Sequence, residues 1–272
     1  MAERLARLHV ERVDGLSAAT TWASSDTLKL MLPCPRGDAV VACAATYGGG
    51  LVSGDRIVLD LTVAENAALT IGTQSTTKVY RSTGADAEQH ITARVANGAL
   101  LASLPEPVSC FADSRFLQRV AIDLAADASL AWLDAVSAGR VSNAESWSMA
   151  RYDSRTDLRL DGRLFAREAL RLDHGSAAER LGRHVICATL WLIGPRCAAA
   201  AAAASELART HRPGEQGLML AASPVTGGCV LRGAAMSHEI LNHTMRSLTA
   251  TLADQLGDAP WLRLASVEMT CT

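Results

Sequence analysis

Several short stretches hold residue types that could do chemistry. The first is YGGGLVSGDRIVLDLTV, Tyr47 to Val63, in which Gly48, Gly49 and Gly50 run together and Gly54 and Asp55 follow. Glycine loops cradle phosphate when a lysine and a helix N-terminus come next, as in G-x-x-x-x-G-K-[ST]. Gly49 and Gly54 have that separation, but Asp55 stands where the lysine belongs. A carboxylate there repels a β- or γ-phosphate. The dinucleotide pattern G-x-G-x-x-G fails at Ser53, and the loop runs into an alternating apolar segment, the mark of a strand. The glycines are therefore expected to serve backbone geometry, as a tight entry into the strand around Ile57 and a close approach of another segment.

HEILNH, His238 to His243, is one residue too long for the zinc-protease pattern. Its histidines lie about 140° apart on a helix, so they cannot face one metal. STTK, Ser75 to Lys78, fits the S-x-x-K nucleophile pattern. Its K-T-G partner is absent, because Lys29 precedes Leu30 and Lys78 precedes Val79. A serine hydrolase using Ser75 and Lys78 stays a remote alternative. His9, His90, Cys34 and Cys43 could make weak metal contacts, as a stand-alone nickel-binding or storage protein would need, without forming a cluster. The seven cysteines are scattered without a CxxC, which reads as reduced, cytosolic usage rather than a disulfide framework.

The elements that must position these residues are mostly strands. Of the 272 residues 49% are hydrophobic and 4% aromatic, so Ala, Leu and Val must fill the core. A net charge of -2 argues against a nucleic-acid surface. The N-terminus lacks the apolar stretch of a secretory signal, and no apolar run is long enough to span a bilayer. Ile57, Leu59, Leu61 and Val63 alternate with less apolar residues, as do Phe116, Gln118, Val120, Ile122 and Leu124; period two is the strand signal. Three similar turns, Val63-AENAA-Leu69, Val95-ANGA-Leu100 and Leu124-AADAS-Leu130, start about 30 residues apart, suggesting stacked, solenoid-like hairpins.

From Arg151 to Asp173 a ladder of alternating charge bends at Asp161-Gly162, a hairpin signal. One extra loop residue would pair Leu160 with Leu164, Asp157 with Arg167 and Asp153 with Arg171, leaving the charges on a solvated face. Ala177 to Ile193 and the alanine-rich Ala198 to His211 are expected as helices paired across Gly194-Pro195. A glycine-marked strand, 217–232, follows. Leu241, Met245, Leu248, Leu252 and Leu256 recur at helical spacing and stop at Gly257. The expected architecture is mainly β: β-helix-like stacked sheets over 1–175, then helical segments with a strand over 176–272, in one domain.

The glycine stretch followed by LTIGTQSTTKVYRS resembles the signature of the urease accessory protein UreD (UreH) family. Thr73, Lys78, Tyr80, Arg81 and Ser82 fit its T-x-x-x-K-x-Y-R-S segment. SLPEPVSCFADSRFLQ is similar to its next motif through Leu104, Pro105, Pro107, Phe111 and Gln118. Asp134, Gly139, Arg140, Glu145 and Trp147 fit a following Asp…GR…E-x-W stretch. The order and spacing hold from about residue 20 to 172. The C-terminal APWLRLASVEMTCT departs from the Pro- and Arg-rich end expected of bacterial members.

The resemblance implies a cytoplasmic, non-enzymatic chaperone. It would join a UreF-type accessory protein and a UreG-type GTPase on apo-urease, and nickel would be delivered with no cofactor held tightly. A delivery scaffold must pass a divalent cation without trapping it, which calls for dispersed acids rather than a converged ligand set. Asp55, Asp60, Asp134 and Glu145 are the acids expected along such a passage for transient Ni2+. The apolar row at Leu241, Leu248 and Leu252 is expected to be internal core or a UreF-type contact.

Overall fold

The computed structural model describes residues 5–34 and 37–257. The divergent C-terminal stretch, with Cys271, lies outside the described residues. Two β-sheets face each other across an apolar interior. The first consists of β1 (Ala6–Val13), β2 (Leu16–Ala23), β5 (Arg56–Val63), β8 (Ala87–Val95), β11 (Arg115–Leu124), β13 (Arg151–Leu160) and β14 (Arg163–Asp173). The second consists of β3 (Leu28–Met31), β4 (Val40–Thr46), β6 (Ala68–Thr73), β7 (Thr77–Val79), β9 (Leu100–Ser103), β10 (Val108–Cys110), β12 (Ser129–Ser137), β15 (Ile186–Ile193), β16 (Leu218–Val225) and β17 (Gly228–Ala235). Their orders are β14-β13-β11-β8-β5-β1-β2 and β16-β17-β15-β12-β9-β6-β4-β3, with β7 and β10 paired to the side.

The chain winds between the sheets as a solenoid. Strands β5, β8 and β11 lie parallel in one wall, and β6, β9 and β12 lie parallel in the other. The three similar turns are the corners between walls. Each turn stacks on its neighbour instead of closing a hairpin: Asn66 N–H donates to Asn97 O at 3.0 Å, and Ser129 N–H to Ala99 O at 2.8 Å. The expected repeat is present. The hairpins are not, because the two strands joined by each corner, such as β5 and β6, belong to opposite walls.

Inward rows follow the period-two pattern. Ile57, Leu59, Leu61 and Val63 from β5 meet Leu130, Trp132 and Val136 from β12 in the central core. A second core lies on the outer face of the second sheet. There Ala131, Leu133, Ala188 and Leu190 pack against Ala200, Ala204, Leu241, Met245 and Leu248. The helices α1 (Ser176–Leu181), α2 (Ala198–Thr210), α3 (His238–Thr249) and α4 (Ala253–Leu256) all belong to the C-terminal third. The row at Leu241, Leu248 and Leu252 is internal core, and the terminal helix stops at Gly257 in a left-handed conformation (φ 72°).

Three expectations need correction. Residues 186–193 form a strand, β15, not the second half of a helix; its uniform apolarity arises because it is covered by the core on one face and by α2 on the other. The helical pair across Gly194-Pro195 is therefore a strand followed by a helix. Residues 217–232 hold parts of two strands, β16 and β17, turning at Gly227. At the β13–β14 turn Leu160 faces Arg163 directly, and the extra residue is a bulge between Leu158 and Arg159. That bulge restores Asp157 opposite Arg167 and Asp153 opposite Arg171, as expected.

Among the described residues Cys43, Cys110, Cys187, Cys197 and Cys229 are free thiols. Among the described residues no helix is long and apolar enough to cross a membrane.

Candidate functional site

Between the sheets, the inward rows carry a belt of polar residues where the period-two pattern calls for apolar ones. Gln89 (β8), Gln118 (β11), Ser154 and Thr156 (β13) and Glu168 (β14) come from the first sheet; Asp134 (β12), Thr189 (β15) and Arg232 (β17) come from the second. Register aligns them. Thr156 faces Glu168 across β13–β14, and Asp134, Thr189 and Arg232 occupy one row across β12, β15 and β17. The belt closes across the interior. Gln118 Nε2 donates to Asp134 Oδ1 at 2.9 Å, and Thr156 Oγ1 donates to Asp134 Oδ2 at 2.6 Å. Arg232 Nε donates to Glu168 Oε1 at 2.9 Å, and its Nη2 to Oε2 at 2.5 Å.

A cavity lies on each side of this belt. The first, of about 190 Å³, runs from the glycine loop at Gly49 past Thr73, Ser75, Ser103, Pro105 and Glu106 to Trp132 and Asp134. The second, of about 380 Å³, runs from Asp134 past Tyr152 and Glu168 to Arg180, His184 and Arg232. Asp134 and Ala135 line both. Ala135 turns its side chain to the outer core, so Asp134 is the side chain at the junction. Burial pushes the Asp134 carboxyl above the ordinary carboxylate range; hydrogen bonding from Thr156, Trp132 and Gln118 opposes this, and the Glu168 charge adds to it. The indole N–H of Trp132, buried on the wall of the first cavity, makes no well-aligned hydrogen bond but lies close enough to Asp134 to favour its carboxylate. A polar cavity of this size holds water readily, since one molecule needs only about 10–15 Å³ by the same measure.

The remaining acids sit elsewhere. Asp55 caps the glycine loop, accepting from Val52 N–H at 2.8 Å. Asp60 is on the outer face of β5, bonded to Thr92 at 3.0 Å. Glu145 pairs with Arg140 at 2.5 and 2.9 Å, which holds its carboxyl below its usual range. Of the four, the structure brings Asp134 alone into the interior.

The motif residues gather at two places. Thr73 and Pro105 line the first cavity, where Thr73 Oγ1 accepts from Glu106 N–H at 2.9 Å. Tyr80, Phe111, Arg140, Glu145 and Trp147 build one end of the stack. Tyr80 meets Phe111 edge-on at 5.4 Å, Arg140 lies 4.8 Å over the Phe111 ring, and Trp147 Nε1 donates to His184 O at 2.8 Å. Arg81 pairs with Asp113 at 3.2 Å, and Ser82 Oγ donates to Ala85 O at 2.7 Å. Gly139 is there because a side chain would meet Cys110 O at 2.5 Å. Gly48 (φ 67°) and Gly49 (φ 78°) turn the loop in open space, and Gly54 (φ 87°) ends it. At Gly50 a Cβ would lie 2.6 Å from Lys78 O, so the expected close approach falls at this glycine.

The UreD urease accessory protein family matches residues 4–265. The chain belongs to the UreD family. It is 40% identical over 261 residues to "Urease accessory protein UreD" of Anaeromyxobacter sp. (strain Fw109-5), covering 94% of this chain and 88% of that protein. It is 41% identical over 257 residues to the protein of that name from Sorangium cellulosum (strain So ce56), covering 93% and 81%. "Urease accessory protein D" of Arabidopsis thaliana is 40% identical over 157 residues, covering 56% and 53%.

For this UreD chain, the other readings find little geometry. Lys78 is exposed on β7 and Ser75 precedes that strand, so the two lack the helical turn that brings i and i+3 together. Among the described residues no three of His, Cys, Asp and Glu converge as metal ligands. Glu168 and Arg232 were not singled out by sequence reasoning. The available signal was an acid in the apolar row Ala166, Leu170, Leu172.

Proposed function

We propose that this UreD chain is a non-catalytic, cytoplasmic scaffold of urease maturation, and that nickel passes through it toward apo-urease by way of Asp134. Asp134 is the observation that carries the reading: a half-buried carboxylate at the junction of two largely apolar interior cavities. A hydrated divalent cation moving between walls of low polarity needs a negative partner at the narrowest point. One carboxylate supplies it without the three or four converged ligands that would hold the ion. Trp132 and Gln118 add donors and acceptors that can orient the ion's water.

A UreF-type protein and a UreG-type GTPase are the partners the family membership suggests, with nucleotide chemistry on the GTPase. Asp55, Asp60 and Glu145 serve this reading as acids outside the interior; Glu145, at the motif end, is best placed to act near a mouth.

The test replaces Asp134 with Asn, which keeps the shape and the bond from Gln118, lets the Thr156 hydroxyl turn to accept from the new amide, and removes the charge. Cells carrying urease genes and this variant are expected to form the normal accessory complex while yielding urease with a reduced nickel content. Full nickel loading with Asp134→Asn would overturn the passage.

A further inference from the structure

The passage reading leaves a physical difficulty, and its resolution lies in Arg232. The second cavity contains two carboxylates, Asp134 and Glu168, close enough for Glu168 to disfavour ionisation of Asp134. Two acids facing one polar space are an incipient trap for a divalent cation. A scaffold that trapped its cargo would not deliver it. We propose that Arg232 is a guard residue: by occupying both oxygens of Glu168 it prevents Glu168 and Asp134 from chelating the passing metal ion. The inference rests on the passage reading above.

Three observations carry it. The Arg232–Glu168 contact is bidentate, with both carboxylate oxygens engaged at 2.9 and 2.5 Å. A planar fork is the geometry that saturates a carboxylate. The pair joins β14 of one sheet to β17 of the other, so it spans the second cavity rather than lying along one wall. Arg232 also shares the row of Asp134, with Thr189 between them. Strands lie about 4.8 Å apart, so the backbones of Arg232 and Asp134 stand roughly two strand spacings apart, and the guanidinium enters the same cavity that Asp134 lines. Its positive charge raises the energy of a second cation bound there. The effect is to make residence short without removing the carboxylate that attracts the ion.

Arg232 is a positioning residue in this scheme, and the readout is metal affinity rather than urease activity. Purified full-length chain is titrated with nickel by equilibrium dialysis as wild type, Arg232→Gln, Arg232→Lys, and the double variant Arg232→Gln/Glu168→Gln. Circular dichroism checks each fold, and Arg232→Met, which keeps the apolar stem, repeats the test should the amide disturb packing. The expected result is one nickel ion per chain held at least about tenfold tighter in Arg232→Gln. Arg232→Lys should stay near wild type, and the double variant should return to it. If Arg232→Gln and Arg232→Met fold but bind nickel no tighter than wild type, the guard role is wrong. It is also wrong if tight binding survives in the double variant. Failure of the passage itself would appear separately, as full urease nickel with Asp134→Asn, whatever the dialysis shows.

Discussion

Replacing each glycine of the Gly48–Gly50 run with alanine separates two causes of destabilisation. At Gly48 and Gly49 the backbone is left-handed, but nothing lies within 4 Å of an added Cβ. The cost there is conformational alone, about 1–2 kcal/mol. At Gly50 (φ 156°) the added Cβ would sit 2.6 Å from Lys78 O and 2.7 Å from Tyr80 Cε2. Tyr80 is partly exposed and can turn aside. The Lys78 carbonyl cannot, because it accepts from Leu51 N–H at 2.8 Å and fixes the bridge between Leu51 and Val79. Overpacking against backbone costs about 1–3 kcal/mol, and the backbone conformation adds about 1–3 kcal/mol. The sum for Gly50→Ala is roughly 2–6 kcal/mol. In a chain of this size each kcal/mol moves the thermal midpoint by about 2–4 °C. Thermal unfolding followed by circular dichroism should therefore show a fall of roughly 4–24 °C for Gly50→Ala and only about 2–8 °C for Gly48→Ala or Gly49→Ala. Equal midpoints for the three variants would show that the close approach at Gly50 is not what the glycine serves. A midpoint raised by added phosphate, with the rise lost in Gly48→Ala, would show the loop to be an anion cradle after all.

Asp134 titrates above the ordinary carboxylate range, so the folded chain binds its proton more tightly than the unfolded chain. Stability from this group is present at low pH and is lost as pH rises from the ordinary carboxylate value through the raised one. The thermal midpoint of Asp134→Asn relative to wild type should thus climb between pH 4 and pH 8; a flat difference would contradict the burial argument. Gln118→Ala removes a donor to Asp134 and leaves that buried oxygen short of a partner, which should cost about 1–3 kcal/mol in urea unfolding; a change near zero would mean that water replaces the amide. Calorimetry with GTP and magnesium should show no binding, because Asp55 occupies the lysine position and its carboxylate already caps the loop; affinity that disappears in Asp55→Ala would reverse this.

Much of the solenoid was legible in the sequence, for local reasons. Period-two alternation in β5 and β11 reports a wall with one face in the core, and the three Ala-rich corners repeat because each stacks on the last. Strand β15 was not legible, since a strand buried on both faces reads like a buried helix segment. The β13–β14 pairing was half legible: opposite charges selected Asp157–Arg167, while the position of the bulge depends on turn geometry at Asp161 (φ 48°) and Gly162 (φ 77°). Asp134 could be found through the motif it belongs to. Gln118 belongs to a motif as well, but Thr156, Glu168 and Arg232 come from three other strands and reach the same interior only when the walls close. A polar residue in an otherwise apolar inward row, recurring in adjacent strands, was the sign that went unused.

Steric closure of the passage tests its central role without touching any charge. Ser103 points inward from β9, lines the first cavity and lies between Ile71 and Trp132 in register. Phenylalanine at this position would fill the space between the glycine loop and Asp134. The decisive quantity is nickel per urease matured with Ser103→Phe, measured alongside the variant's thermal midpoint and its co-purification with the accessory complex. With fold and complex intact, nickel should fall to the level found without the chain; full nickel loading past a blocked cavity would contradict passage through this interior.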